Sequence, residues 1–251
     1  MSLSPDRLDR FARHIVLPEI GGAGQAALVE SHVAIIGLGG IGAPVLQYLA
    51  GAGVGRMTLV DDGDVEASNL QRQTIYSTRD IGHGKAVSAR RWLANFDGQL
   101  DVSISDTRVT ADNAASLIGA AQLVIDGTDN FATRLAVSDA CVKAGVPLLS
   151  AAVGRFQGQV GAFAGHQPDQ PCYRCFVGDA FDTDDCDTCA EDGVLGAMVG
   201  WVGTFAAMQA VRILTTGMGD PQWGKLHLMD GLKPGMRMLN LAKDPACRGC
   251  C

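Results

Sequence analysis

Residues 32–62, HVAIIGLGGIGAPVLQYLAGAGVGRMTLVDD, hold the pattern on which the reading of the fold turns. The apolar run 32–36 reads as a buried strand, stopped by a turn whose Gly37, Gly39 and Gly42 fit G-x-G-x-x-G. Residues 43–50 then follow helical spacing, and 57–60 form a second buried strand ending at Asp61 and Asp62. Small residues at such a turn let phosphate oxygens reach the amides of a helix N-terminus. Asp61 stands about where a ribose-binding carboxylate belongs, roughly 20 residues past the turn. The extra glycine, Gly40, makes the turn G-x-G-G-x-G, which suits ordinary dinucleotide binding less well. A purely structural glycine turn is the plain alternative.

Outward from this unit the alternation continues, with helices expected at 84–96, 111–119 and 131–144 and strands at 102–105, 123–125 and 147–150. Upstream, 4–14 reads as a short helix with Ser4 as N-cap, Pro5 at its first position and Leu8 and Phe11 on one face. Such alternation implies a mainly parallel sheet covered by helices. After residue 150, β-like segments at 159–163 and 226–229 flank a helix over 194–214, so the sheet is expected to finish in antiparallel strands. The fold class expected is therefore α/β, Rossmann-like, within one unit over 1–251 that has a nucleotide-binding half, 1–150, and a second half, 151–251.

Composition sets the limits. The 251 residues are 47% hydrophobic and 19% charged, enough for a continuous core without disulfides. The 32 glycines, roughly 13% against an average near 7%, favour many close backbone approaches. A net charge of −7 argues against a general nucleic-acid or anionic-membrane binder, so any phosphate ligand needs a local basic cluster. The start, MSLSPDRLDRFARH, is charged and has no apolar core before a cleavage site, so a cytoplasmic location is expected. The uncharged stretches 32–55 and 194–211 approach membrane-spanning length. The first breaks into strand, turn and helix, and the second reads as a glycine-spaced core helix.

The local basic cluster follows the second strand. Residues 60–73, VDDGDVEASNLQRQ, bring Ser68, Asn69 and Arg72 to the end of the ribose-binding strand, and Lys85 comes soon after. Arginine pairs bidentately with phosphate, asparagine fixes a neighbouring oxygen and lysine adds a mobile charge, a set suited to a triphosphate. A solvated loop with a surface arginine and lysine is the competing reading.

Eight cysteines in a presumed cytosolic chain point to metal or redox chemistry. Three C-x-x-C pairs are present, Cys172 with Cys175, Cys186 with Cys189 and Cys247 with Cys250, and any two would make a tetrahedral zinc site of four thiolates. Spacing alone does not choose among them, and reduced, unligated thiols remain the alternative. Cys141 reads as a small core residue, Cys251 has no evident role, and the five histidines form no metal spacing.

Taken together, RFARHI at 10–15, GLGGIG at 37–42, AGAGVG at 50–55, SNLQRQ at 68–73, DGTDN at 126–130 and PCYRC at 171–175 resemble the ubiquitin-activating superfamily, specifically its bacterial sulfur-carrier adenylyltransferases for molybdopterin or thiazole synthesis. The resemblance covers nearly the whole chain. It implies ATP-dependent adenylation of the C-terminal glycine of a small ubiquitin-like sulfur carrier, with release of pyrophosphate. It places ATP on Gly37, Gly39, Gly40, Gly42, Asp61, Ser68, Asn69, Leu70, Gln71, Arg72, Lys85 and Thr128, with Asp129 holding Mg²⁺ and assisting the chemistry. Arg13 would reach the ATP of the other subunit in a homodimer. Cys172, Cys175, Cys247 and Cys250 would hold a structural Zn²⁺, and the second half of the chain would dock the carrier. Cys189 matches the loop cysteine that some relatives use for a persulfide or thioester link, which implies a persulfide donor protein, and Cys186 would be its redox partner. The acidic run Asp182, Asp184, Asp185, Asp187, Glu191 and Asp192 disfavours a thiolate there.

Two departures stand out. Gly63 occupies a position where many relatives have aspartate, which puts the ribose and metal contacts there in question, and Gly127 replaces a frequent cysteine. Asp126 or Asp129 would alternatively cap the following helix. Competing functions are a tRNA dehydratase or peptide-modifying enzyme of the same superfamily, an NAD-dependent oxidoreductase, and a zinc-stabilised binding module. The last two leave the SNLQRQ, Lys85 and DGTDN cluster without a purpose.

Overall fold

The computed structural model describes residues 3–178 and 193–251. The amino-terminal segment folds as α1 (Pro5–Arg10) and α2 (Ala12–Ile15), not as one helix over 4–14, because Phe11 leaves helical geometry. Ser4 caps α1 as expected. The next helix, α3 (Gly21–Glu30), was not anticipated: its glycine-rich GGAGQAALVE has no helical periodicity. Tertiary contacts hold it instead, with buried Gln25 donating to the Ala52 carbonyl at 2.9 Å and Leu28 fully buried.

The decisive stretch folds as read, giving β1 (His32–Ile36), α4 (Gly42–Ala52) and β2 (Arg56–Val60). Then come α5 (Lys85–Phe96), β3 (Asp101–Ser105), α6 (Ala114–Ile118), β4 (Leu123–Asp126), α7 (Phe131–Ala144), β5 (Leu148–Gly154) and β6 (Gln157–Phe163). The last elements are α8 (Tyr173–Val177), α9 (Gly196–Leu214), β7 (Lys225–Asp230) and β8 (Gly235–Asn240). The strand β8 is also new relative to the sequence reading. All six of its residues are exposed, so it carries no burial alternation to detect.

All eight strands join one sheet in the order β3-β2-β1-β4-β5-β6-β7-β8. The first five run parallel, and β6, β7 and β8 continue antiparallel. Alternate strand residues face opposite ways. Val33, Ile35, Leu59, Leu123 and Ile125 pack under α4, α5 and α9, and Ala34, Ile36, Val60, Val124 and Leu148 pack under α6 and α7. The sheet is thus the middle layer of three. Helix α9 is long and apolar enough to cross a membrane, and half of it is buried inside this fold. It lies against α4, where a Cβ on Gly203 would collide with Pro44.

Chain order reverses between β1 and β4: the chain moves outward through β2 and β3 and returns to β4 on the other side of β1. In open α/β sheets a crevice forms beyond the strand ends at such a point.

Candidate active site

That crevice is a cavity of about 510 Å³. Its floor is the glycine turn. Gly37 sits at φ +85, closing the turn by donating to the Val60 carbonyl at 2.8 Å. A Cβ on Gly42 would strike the Gly37 carbonyl oxygen, so α4 starts against the end of β1 only because both residues are glycine. The amides of Gly39, Gly40, Ile41 and Gly42 find no acceptor among the described residues. They are orphan donors at the start of α4, and Gly39, Gly40 and Ile41 line the cavity.

Asp61 leaves the end of β2 and accepts from the Leu38 amide at 2.6 Å and the Gly63 amide at 2.9 Å. Burial pushes its carboxyl up from the ordinary value, while the Lys85 ammonium and these two amides partly restore the charged form. A Cβ on Gly63 would lie 3.3 Å from Lys85 Nζ and 3.2 Å from Asp61 Oδ1. The glycine therefore leaves the lysine room beside the carboxylate. Tyr76 ties the two parts together by donating to the Leu38 carbonyl at 3.0 Å and approaching the Lys85 carbonyl at 3.4 Å.

A 3₁₀ turn at Ala67–Asn69, capped reciprocally by Glu66 and Asn69, presents the basic segment. Arg72 donates to the Ser68 carbonyl at 3.0 Å, and its Cδ comes within 3.6 Å of a Cβ built on Gly40. Its guanidinium stem therefore overlies the glycine turn. On the far side, the loop after β4 carries Asp129. Asn130, and neither aspartate, caps α7 by accepting from the Thr133 amide at 2.9 Å. Asp126 is fully buried and accepts from the Thr128 amide at 3.0 Å and the Thr128 hydroxyl at 2.6 Å. Arg134 reaches the Thr128 carbonyl, the Ala151 carbonyl at 2.8 Å and the Ser150 hydroxyl at 2.9 Å. This network holds the loop while the Asp129 side chain stays exposed at the cavity wall.

Of the residues singled out from sequence, Gly37, Gly39, Gly40, Asp61, Asn69, Gln71, Arg72, Lys85, Thr128 and Asp129 line the cavity. Gly42, Ser68 and Leu70 do not: Gly42 lies beneath the turn, Ser68 orients Arg72 through its carbonyl, and Leu70 packs on the core. Arg13 is exposed on α2, outside the cavity of its own chain. Sequence reading missed Thr107, Arg108 and Val109, which line the wall beyond β3, and Arg134 and Tyr173. The first three follow a strand of the parallel sheet, and that position was the available signal. Nothing in the sequence joins Arg134 to Asp126.

The four thiols Cys172, Cys175, Cys247 and Cys250 come together with all Sγ atoms within 4.8 Å of one another. Measured separations are 3.5 Å for Cys172–Cys247 and Cys175–Cys250 and 3.8 Å for Cys172–Cys175. A tetrahedral thiolate site with metal–sulfur bonds of about 2.3 Å has edges of about 3.8 Å, so these four fit a metal, and the separations are far from a disulfide length. Cys141 is buried in α7, in keeping with a core role. Cys186 and Cys189 lie outside the described residues.

The ThiF family model matches residues 11–249. The sulfur carrier protein adenylyltransferase of Thermus thermophilus is 39% identical over 255 residues, covering 100% of this chain and 93% of its own. The molybdopterin-synthase adenylyltransferase of Salmonella typhimurium is 38% identical, covering 99% of this chain and 98% of its own. Among solved structures, E. coli MccB with MccA-N7isoASN superposes with a TM-score of 0.82 at 20% identity, over 96% of this chain and 75% of that one. That likeness carries the fold alone.

Proposed function

The chain belongs to the ThiF family, and from that premise we propose that it is an adenylyltransferase that activates the C-terminal glycine of a small ubiquitin-like sulfur carrier. The observation that carries the reading is one cavity lined by Gly39, Gly40 and Ile41, whose amides have no acceptor among the described residues, by Arg72 and Lys85, and by the exposed Asp129. An oxidoreductase site would have no use for that combination.

The triphosphate of ATP lies over the glycine turn, with its charge met by the amides of Gly39, Gly40 and Ile41, by Arg72 and by Lys85. Asp61 accepts from the ribose hydroxyls, and Asn69 and Gln71 flank the phosphates. The glycine carboxylate attacks the α-phosphorus, the acyl–phosphate bond forms, and the bond to the β-phosphate breaks as pyrophosphate leaves. Two anions meet in this step, and Arg72 and Lys85 offset their repulsion as charge builds on the transferring phosphorus. Magnesium supplies neutralisation of the leaving pyrophosphate when bound. Asp129 would hold it, because Mg²⁺ sites beside phosphates use only one or two protein carboxylates. Arg13, outside its own cavity, would serve the site of a second subunit in a homodimer. The cavity runs on past Asp129 to Ala152, Val153, Gln159 and Gly193, the route we assign to the carrier tail.

We assign Zn²⁺ to Cys172, Cys175, Cys247 and Cys250 as a closed structural site that ties residues 247–250 to the first turn of α8. Residues 1–150 form the nucleotide half and 151–251 the carrier-docking and zinc half. Cys189 remains a candidate for the link to a persulfide donor.

The test is pyrophosphate-to-ATP exchange with Mg²⁺, run with molybdopterin-type and thiazole-type carriers, each with its terminal glycine intact or deleted. Exchange with an intact carrier and none with its truncated form is the expected result and names the pathway. No exchange with either, from protein that binds ATP, would move the substrate to another acyl class.

A further inference from the structure

We propose that Asp62 and Arg108 form a base-reading pair that selects adenine over guanine; this rests on the nucleotide reading of the cavity. The placement follows from strand order. The glycine turn ends β1, Asp61 ends β2, and Thr107–Val109 follow β3, with the three strands side by side and parallel. With phosphates at the first and ribose at the second, the base falls at the third. There buried Val60 and Val109 and exposed Asp62 and Arg108 all line the cavity.

Structural duty does not explain the pair. Its Nη1–Oδ2 separation is 4.0 Å, the outer limit of an ion pair, and the side chains are 65% and 47% exposed for arginine and aspartate. Such a contact stabilises a fold very little. Its chemistry does suit a ligand. A carboxylate only accepts and a guanidinium only donates. Adenine offers the N6 amino donor beside the N7 acceptor, whereas guanine offers two acceptors, O6 and N7. The acceptor–donor pair on the protein matches adenine and sets Asp62 against guanine O6. Arg108 alone would favour guanine, the base that guanidinium groups read bidentately, so the discrimination resides in Asp62.

The experiment measures binding of ATP, GTP, 7-deaza-ATP and inorganic tripolyphosphate to the full-length protein, wild type, Asp62→Ala and Arg108→Ala. Both positions are exposed, and unchanged thermal unfolding checks the fold. Wild type should bind ATP at least tenfold more tightly than GTP and should lose affinity for 7-deaza-ATP, which lacks the N7 acceptor. Asp62→Ala should narrow or invert the ATP-to-GTP ratio. Arg108→Ala should weaken ATP and abolish the 7-deaza penalty, and tripolyphosphate should bind all three proteins equally. A ratio and a 7-deaza penalty unchanged in both variants, or no ATP preference in wild type, would overturn the pair's role while leaving the phosphate site standing. Failure of wild type to bind either ATP or tripolyphosphate would overturn the nucleotide reading, and the pair's role with it.

Discussion

Asp129 and Asp126 lie three residues apart on one loop and have opposite fates. Asp126 is fully buried and spends its oxygens on Thr128, Ser150 and Arg134, while Asp129 faces the cavity with no partner among the described residues. Substituting Asp129→Asn should therefore leave stability close to wild type and lower the exchange rate about a hundredfold or more, the scale of losing one electrostatic contact in a transition state. Steady-state exchange with a thermal melt in parallel checks both halves of that expectation. Gly42 predicts the reverse pattern. A Cβ there meets the Gly37 carbonyl, so Gly42→Ala should cost about 3 kcal/mol, the upper range of overpacking, read as a lower urea midpoint. The glycines were legible because their spacing carries meaning by itself. The difference between Asp126 and Asp129 was not, because DGTDN looks the same whichever carboxylate turns inward.

Among the elements, α1 shows how a marginal helix is fastened. Its six residues are too few to be stable alone, and Arg7 instead reaches buried Asp97 at the end of α5 while stacking on Phe11. Burial pushes the Asp97 carboxyl up, but the Gln99 amide and the Arg7 guanidinium outweigh it and hold it below its ordinary value of 3.8. A depressed folded-state value means that the contribution is present above about 3.8 and is lost as pH falls through the lower folded value. Asp97→Asn should therefore destabilise the protein at pH 7, with the gap to wild type closing only below about pH 4, in denaturant titrations across that range. Helices α4 and α5 were readable because their apolar stripes repeat at helical spacing. The glycine-rich α3 and the fully exposed β8 lack any such period, and only their neighbours give them shape.

At the scale of the whole molecule, the zinc proposal joins segments 75 residues apart in sequence. Cys172→Ser, or a strong chelator, should remove one zinc per chain by elemental analysis and lower Tm by roughly 10 °C or more, since binding energy at such a site is folding energy and each kcal/mol is worth about 2–4 °C at this size. Retention of zinc by that variant would exclude the assignment. The position of Arg13, exposed and away from its own cavity, predicts subunit complementation. Arg13→Ala and Asp129→Ala proteins, each inactive, should regain partial exchange activity when mixed, and confirmed mixed dimers without rescue would remove Arg13 from the shared site. The order of motifs along the chain was enough for the α/β class, the glycine turn, the basic segment and the family likeness, since each depends on residues close in sequence. The likeness had already named Cys172, Cys175, Cys247 and Cys250, and folding brings their thiols together; folding alone decided that Arg134 ties the Asp129 loop to Ser150 and Ala151 of β5, and that Arg108 comes within 4.0 Å of Asp62. These are contacts between distant segments, and they exist only once neighbouring strands have brought their ends together.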